Sequence, residues 1–162
     1  MRPFPLFNTP LEIGLRSLFV LQAIAPVELD VQRLVYCDYL LVHSADVDGG
    51  PSSLHPAIPH RSGEWVVRRD IVARGLHLMC SRGLVKKCFS SSGITFATSD
   101  LTAAFLSHMR GVYATSLRER AAWISKAFGS YSNDDLAAFM RSNLGKWGAE
   151  FHYESLFRGL DL

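Results

Sequence analysis

GLVKKCFSSSGITFATS, residues 83–99, is the stretch in which the chain changes its period. Upstream, apolar residues return every three or four positions. Here two short runs rich in Val, Phe, Ile and Thr flank a Ser/Gly turn, the pattern of a β-hairpin with Leu84, Cys88, Phe89, Ile94 and Phe96 available for packing. Gly83 marks the end of the helix before it.

Outward from the hairpin, the preceding segment predicts a helix over about Gly63–Arg82 with Ser62 as its N-cap. Trp65, Val66, Ile71, Val72, Leu76 and Met79 supply its inner stripe, while Arg61, Arg68 and Arg82 lie at multiples of seven and share another face. A first helix over Thr9–Ala25 starts at a capping Thr9, with Pro10 in its first turn and Glu12 at the positive end of its dipole. It is apolar nearly all round, which implies burial on several sides or a partner. Asp30 caps a second core helix, VQRLVYCDYLLVHS, in which Gln32, Arg33 and Asp38 are the clearly polar positions.

Three helices followed by a hairpin is the element order of a winged helix-turn-helix, here with a long connection before the third helix. Downstream the expectation is one helix from Ser99 to Gly129 kinked at Gly111, then a short helix capped by Ser132 and reaching Leu144. A last helix is expected over Trp147–Leu160. The fold class expected is mainly α (α+β): a winged-helix-like core over 1–98, with a C-terminal helical region over 99–162 packed on or extending it as a single compact domain.

At 162 residues, with 48% hydrophobic and 20% charged residues, the chain can bury a sizeable core, and global disorder is excluded. The net charge is +2, but seven basic residues (Arg61, Arg68, Arg69, Arg74, Arg82, Lys86, Lys87) face only Glu64 and Asp70 between 61 and 87. That local +5 leaves −3 elsewhere. Such a basic face suits a polyanion or an acidic partner surface; the alternative is a solvated helix face. Cys37, Cys80 and Cys88 show no CxxC spacing and read as free thiols in a reducing compartment. With no signal peptide pattern and no apolar stretch long enough to span a bilayer, the cytoplasm is the expected location.

The long connection HSADVDGGPSSLHPAIPHR, residues 43–61, holds three of the six histidines. His43, Asp46, Asp48, His55, His60 and Glu64 include the residue types of a zinc or manganese site, but their spacing matches no compact metal motif. The competing reading has the histidines bonding loop carbonyls while Asp46 and Asp48 make turns beside Gly49 and Gly50. Cys37 and Cys80 fall on apolar helices, no Ser stands in a GxSxG elbow, and Gly49–Gly50 lacks the helix and Lys of a phosphate loop. No cofactor and no catalytic residue is expected.

Nucleic-acid contact has more support, because the third helix and hairpin carry the positive excess. The third helix offers Arg but no Asn or Gln, so contact with the phosphate backbone is expected rather than base reading. Trp147, Phe151, Tyr153 and Phe157 form an aromatic C-terminal cluster of the kind that anchors protein interfaces, and they are the candidate partner-binding residues.

The segments LEIGLRSLFVLQA, VHSADVDGGPSSLHP, PHRSGE and KWGAEF resemble the middle component of bacterial three-component ABC-ATPase systems, a broad group that includes Lamassu-type anti-phage and anti-plasmid defence. The resemblance covers most of the chain. It implies a small, non-enzymatic, winged-helix-like subunit that grips an SMC-like ABC ATPase and works with an effector, often a nuclease. It supplies no catalytic residue. The alternatives are a stand-alone winged-helix DNA-binding regulator and a metal-dependent hydrolase built on His43, His55 and His60.

Overall fold

The computed structural model describes residues 8–56 and 64–158, with side-chain surroundings for 8–56 and 68–147. Among the described residues the chain is mainly helical with one two-stranded antiparallel hairpin. Helix α1 (Pro10–Ile24) begins as its sequence dictates: the Thr9 hydroxyl accepts the Glu12 amide at 3.2 Å, and the Glu12 carboxylate accepts the Asn8 amide at 2.8 Å. Its all-round apolarity is explained within the chain. α1 is the central helix, packed against α2 (Val31–Val42), α3 (Glu64–Ser81), α4 (Thr102–Ser107) and α5 (Val112–Phe128). Most of its apolar side chains are buried there, while Leu11 stays 55% exposed.

Asp30 caps α2, accepting the Arg33 amide at 2.7 Å. The Arg33 side chain is buried among oxygens at the joint between α5 and α6 (Asn133–Arg158). Its guanidinium donates to the carbonyls of Phe128 and Tyr131 and to Asn133 Oδ1, at 2.8–3.0 Å. A cation at the carbonyl end of α5 complements that helix's dipole.

Gly83, at φ +71°, ends α3 in a left-handed turn. Its amide donates to the Cys80 carbonyl at 3.0 Å and that of Leu84 to Met79 at 3.0 Å, so the last carbonyls of the helix are satisfied. The hairpin follows as β1 (Val85–Ser90) and β2 (Gly93–Thr98), in the register Val85↔Thr98 to Ser90↔Gly93. Leu29, just before α2, forms an antiparallel bridge to Phe96: the two residues exchange amide–carbonyl bonds of 2.9 and 2.8 Å. This second pairing fastens the hairpin to the α1–α2 turn. At the hairpin's exit, the Thr102 hydroxyl donates to the Leu84 carbonyl at 2.7 Å, closing the base of the sheet onto α4.

Two sequence expectations are corrected. Residues 99–129 form two helices, not one kinked helix. The chain breaks at His108–Gly111, and extended Gly111 is the N-cap of α5 (φ −65°, ψ 163°). Arg118 stabilises the break by donating to the carbonyls of Leu106 and Met109 at 3.1 and 3.2 Å. Conversely, the two expected C-terminal helices are one, α6, capped by Ser132 through the Asp135 amide at 3.0 Å. Gly145 does not stop it, since a glycine costs only about 1 kcal/mol in a helix interior and Leu136, Met140 and Trp147 pack along one buried stripe. The expected N-cap at Ser62 lies outside the described residues.

Candidate interaction surface

Asp38, an isolated acid in the apolar sequence of α2, is the centre of a buried ionic cluster. Its Oδ1 accepts Arg16 Nε at 2.7 Å, and its Oδ2 accepts Arg16 Nη2 at 2.9 Å and Arg68 Nη1 at 2.6 Å. The three residues are 2%, 0% and 4% exposed, in the order Asp38, Arg16, Arg68. Arg16 also donates to Glu12 at 3.2 Å and to Asn8 at 3.1 Å, so among the described side chains two cations meet two carboxylates. Burial by itself pushes the Asp38 carboxyl up, but Arg16 and Arg68 outweigh it and hold the group below its usual range. The cluster locks α1, α2 and α3 together.

The first part of the long connection is built against this cluster. The amides of Leu54 and His55 both return to the Val42 carbonyl, at 2.9 and 3.0 Å, and the Ser44 hydroxyl donates to the Ser52 carbonyl at 3.0 Å. Gly50 lies so close to the Ser44 carbonyl that a Cβ would sit 2.2 Å from it, and Gly49 has φ +75°. Arg120 on α5 clamps Ser52 through two donors, at 3.0 and 2.9 Å. Buried His43 packs on Tyr39, and His55 Nε2 lies 2.8 Å from the Tyr113 hydroxyl. Burial, and the nearby charge of Arg16, push the His55 imidazole below its usual range, while Asp46 accepts the Tyr39 hydroxyl. No three His, Cys, Asp or Glu side chains among the described residues converge as metal ligands. His60 and the Glu64 side chain lie outside them.

The expected basic face is only partly assembled. Arg68 does not belong to it, because neutralising Asp38 draws it into the core. Arg69 donates to Gln32 Oε1 at 2.7 Å, and Arg74 pairs with Asp70 at 3.1 Å on the surface. Arg82 falls beyond the last residue of α3 and is exposed, as are Lys86 and Lys87 on β1. Arg61 lies outside the described residues. Between α3 and the hairpin runs a groove of about 630 Å³, lined by Ala73 and His77 of α3, by Lys87, Ile94 and Phe96 of the hairpin, and by Val31 and Gln32 of α2.

Trp147, expected at an exposed partner interface, is buried and stacks on Tyr39 with ring centroids 5.4 Å apart. It is a core residue, which ties α6 to α2. Phe151, Tyr153 and Phe157 lie on the last turns of α6, and their side chains fall outside the described ones.

Residues 6–150 match the model of the family described as ABC-three component (ABC-3C) system Middle Component 2. The chain belongs to this family. No curated protein and no solved structure matches it. The matched range takes in the ionic cluster, the folded connection, the hairpin and the groove. A middle component is an accessory subunit of a multi-component system, so protein partners are implied. Burial pushes the Cys37 thiol up to about 12, which keeps it protonated and poorly nucleophilic. No helix among the described residues is long and apolar enough to cross a membrane.

Proposed function

We propose that this middle component is a non-enzymatic cytoplasmic subunit that joins an SMC-like ABC ATPase, engaged by foreign DNA, to an effector nuclease in a Lamassu-type anti-phage or anti-plasmid complex. The observation that carries the reading is the family match across 6–150. The order α1, α2, α3, hairpin, together with the Leu29–Phe96 pairing beside the second hairpin strand, supports reading the core as a winged helix. Co-expression with the two neighbouring subunits tests the assembly. A tagged middle component should retain the ATPase through gel filtration at micromolar concentration, and elution alone rejects the reading.

Direct DNA contact is the lesser part of the proposal. Arg69, Arg74, Arg82, Lys86 and Lys87 supply a phosphate-backbone surface, and Phe151, Tyr153 and Phe157 supply aromatic residue types suited to a protein contact. Charge reversal at Arg82 and Lys86 should reduce the slope of the complex's log affinity for random duplex against log salt by about 2, one per lost phosphate contact. An unchanged slope removes this face from DNA binding, and tight operator-specific binding by the isolated chain would point instead to a regulator.

A further inference from the structure

We infer that the groove between α3 and the hairpin is a docking site for a protein segment with an apolar core and acidic flanks, contributed by another subunit of the complex; this rests on the accessory-subunit reading. The decisive feature is the inner face of the hairpin. Val85, Lys87 and Phe89 alternate onto one face of β1 and meet Thr98, Phe96 and Ile94 of β2 in register. The base of this face is core, with Val85 and Phe96 buried. Its tip is bare: the directly opposed pair Phe89 and Ile94 is 75% and 45% exposed. A hairpin whose only task was to cover its own core would not place two large apolar side chains side by side beyond it.

That bare pair continues an apolar lining. Ile94 joins Phe96, Ala73 and Val31 around the groove of about 630 Å³, which is large enough for several apolar side chains. The charges bordering it are uneven. Arg69 and Lys87 stand on its walls, and Lys87 Nζ lies 5.6 Å from the Phe89 ring centroid, so the aromatic anchor and the cation form one unit. The acid lining the groove, Asp30, is already engaged as the cap of α2 and by Asn133 Nδ2 at 3.2 Å. An incoming segment therefore meets apolar surface flanked by positive charge, and acidic residues on either side of its apolar anchors complete the match.

Nucleic acid fits the same place less well. Phosphate recognition needs several cations converging on one track, but Arg68 is buried on Asp38 and Arg74 is paired with Asp70, so Arg69 and Lys87 are the Arg and Lys side chains lining the groove. The hairpin side of the groove instead presents Ile94 and Phe96, with exposed Phe89 directly opposite Ile94.

The test uses the assembled complex with Phe89 replaced by the photo-crosslinker p-benzoylphenylalanine. Irradiation should join the hairpin to one partner subunit, at a peptide in which Asp or Glu flanks apolar residues. In pull-downs, Ile94→Asp should reduce retention of that subunit about thirtyfold or more, the range of a hot-spot loss, and Lys87→Glu should reduce it less. Lys126→Glu on α5 should change nothing. Thermal melting of each variant separates lost docking from lost folding, and the crosslink reports docking without a destabilising charge. A complex that assembles normally with Ile94→Asp and Lys87→Glu, or a crosslink to duplex DNA instead of protein, overturns the docking site while leaving the accessory reading intact. Failure of the wild-type chain to assemble overturns both.

Discussion

Asp38→Asn is expected to lower the stability of this protein by about 3–5 kcal/mol, the cost of breaking a buried ion pair from one side. The amide is nearly the same size, so no cavity forms. What is lost is the charge that compensates Arg16 and Arg68, both buried. Arg16 keeps Glu12 and Asn8 as partners, and the change removes the Asp38 contact that ties Arg68, and with it α3, to α2. Urea denaturation at pH 7 gives the number, and a loss below about 1 kcal/mol, within the range of a surface pair, would show that the cluster is not the lock described above.

The pH dependence has a defined sign. The folded Asp38 carboxyl titrates below its ordinary value of 3.8, to which it returns on unfolding. The unfolded chain therefore binds the proton more readily, and the stability contributed by the cluster is complete above that ordinary value and is lost as pH falls through the depressed folded one. Wild-type protein should lose stability steeply below about pH 4, and Asp38→Asn should show a flatter acid limb. Replacing all three residues together by apolar ones of similar volume should cost far less than the single change, because no fully buried charge is left uncompensated; Glu12, which loses Arg16, is partly exposed.

The second large effect is expected at the crossing of α1 and α3. A Cβ on Gly75 would lie 2.7 Å from both the Gly14 amide nitrogen and the Pro10 carbonyl oxygen, and one on Gly14 would lie 2.8 Å from the Gly75 carbonyl. These neighbours are backbone and cannot swing aside. Gly75→Ala should thus destabilise by about 3 kcal/mol, despite the gain of about 1 kcal/mol that alanine brings to a helix interior. Gly145→Ala in α6, where a Cβ would meet nothing within 4 Å, is the contrasting case; it should stabilise by about 0.5–1 kcal/mol. Thermal melts of both variants decide the matter, and equal signs would contradict a tight crossing.

The success of the local readings follows from their local causes. Thr9, Asp30 and Ser132 cap helices because their oxygens reach amides three residues on. Gly83 ends α3 because the turn there needs a left-handed residue. The hairpin was legible for the same reason, since alternation and a short polar turn are properties of a few consecutive residues. Seven-residue spacing misplaces Arg68, because it says which residues share a helix face and nothing about what that face meets. The signal available was Asp38, a lone acid in a core helix, which calls for a buried cation from elsewhere. Trp147 and the break at Gly111 follow the same pattern, being decided by Tyr39 and by Arg118.

Composition and order along the chain were enough to establish a mainly helical protein with one hairpin, the caps that begin its helices and the family to which it belongs, since each depends on residues near one another or on the pattern as a whole. Which arginines are surface and which are core, whether apolar helices need a partner, and where an uncovered apolar patch lies were settled only by tertiary packing. Burial and charge compensation are relations between residues far apart in sequence. Arg16, Asp38 and Arg68 acquire their roles at the moment three helices come together.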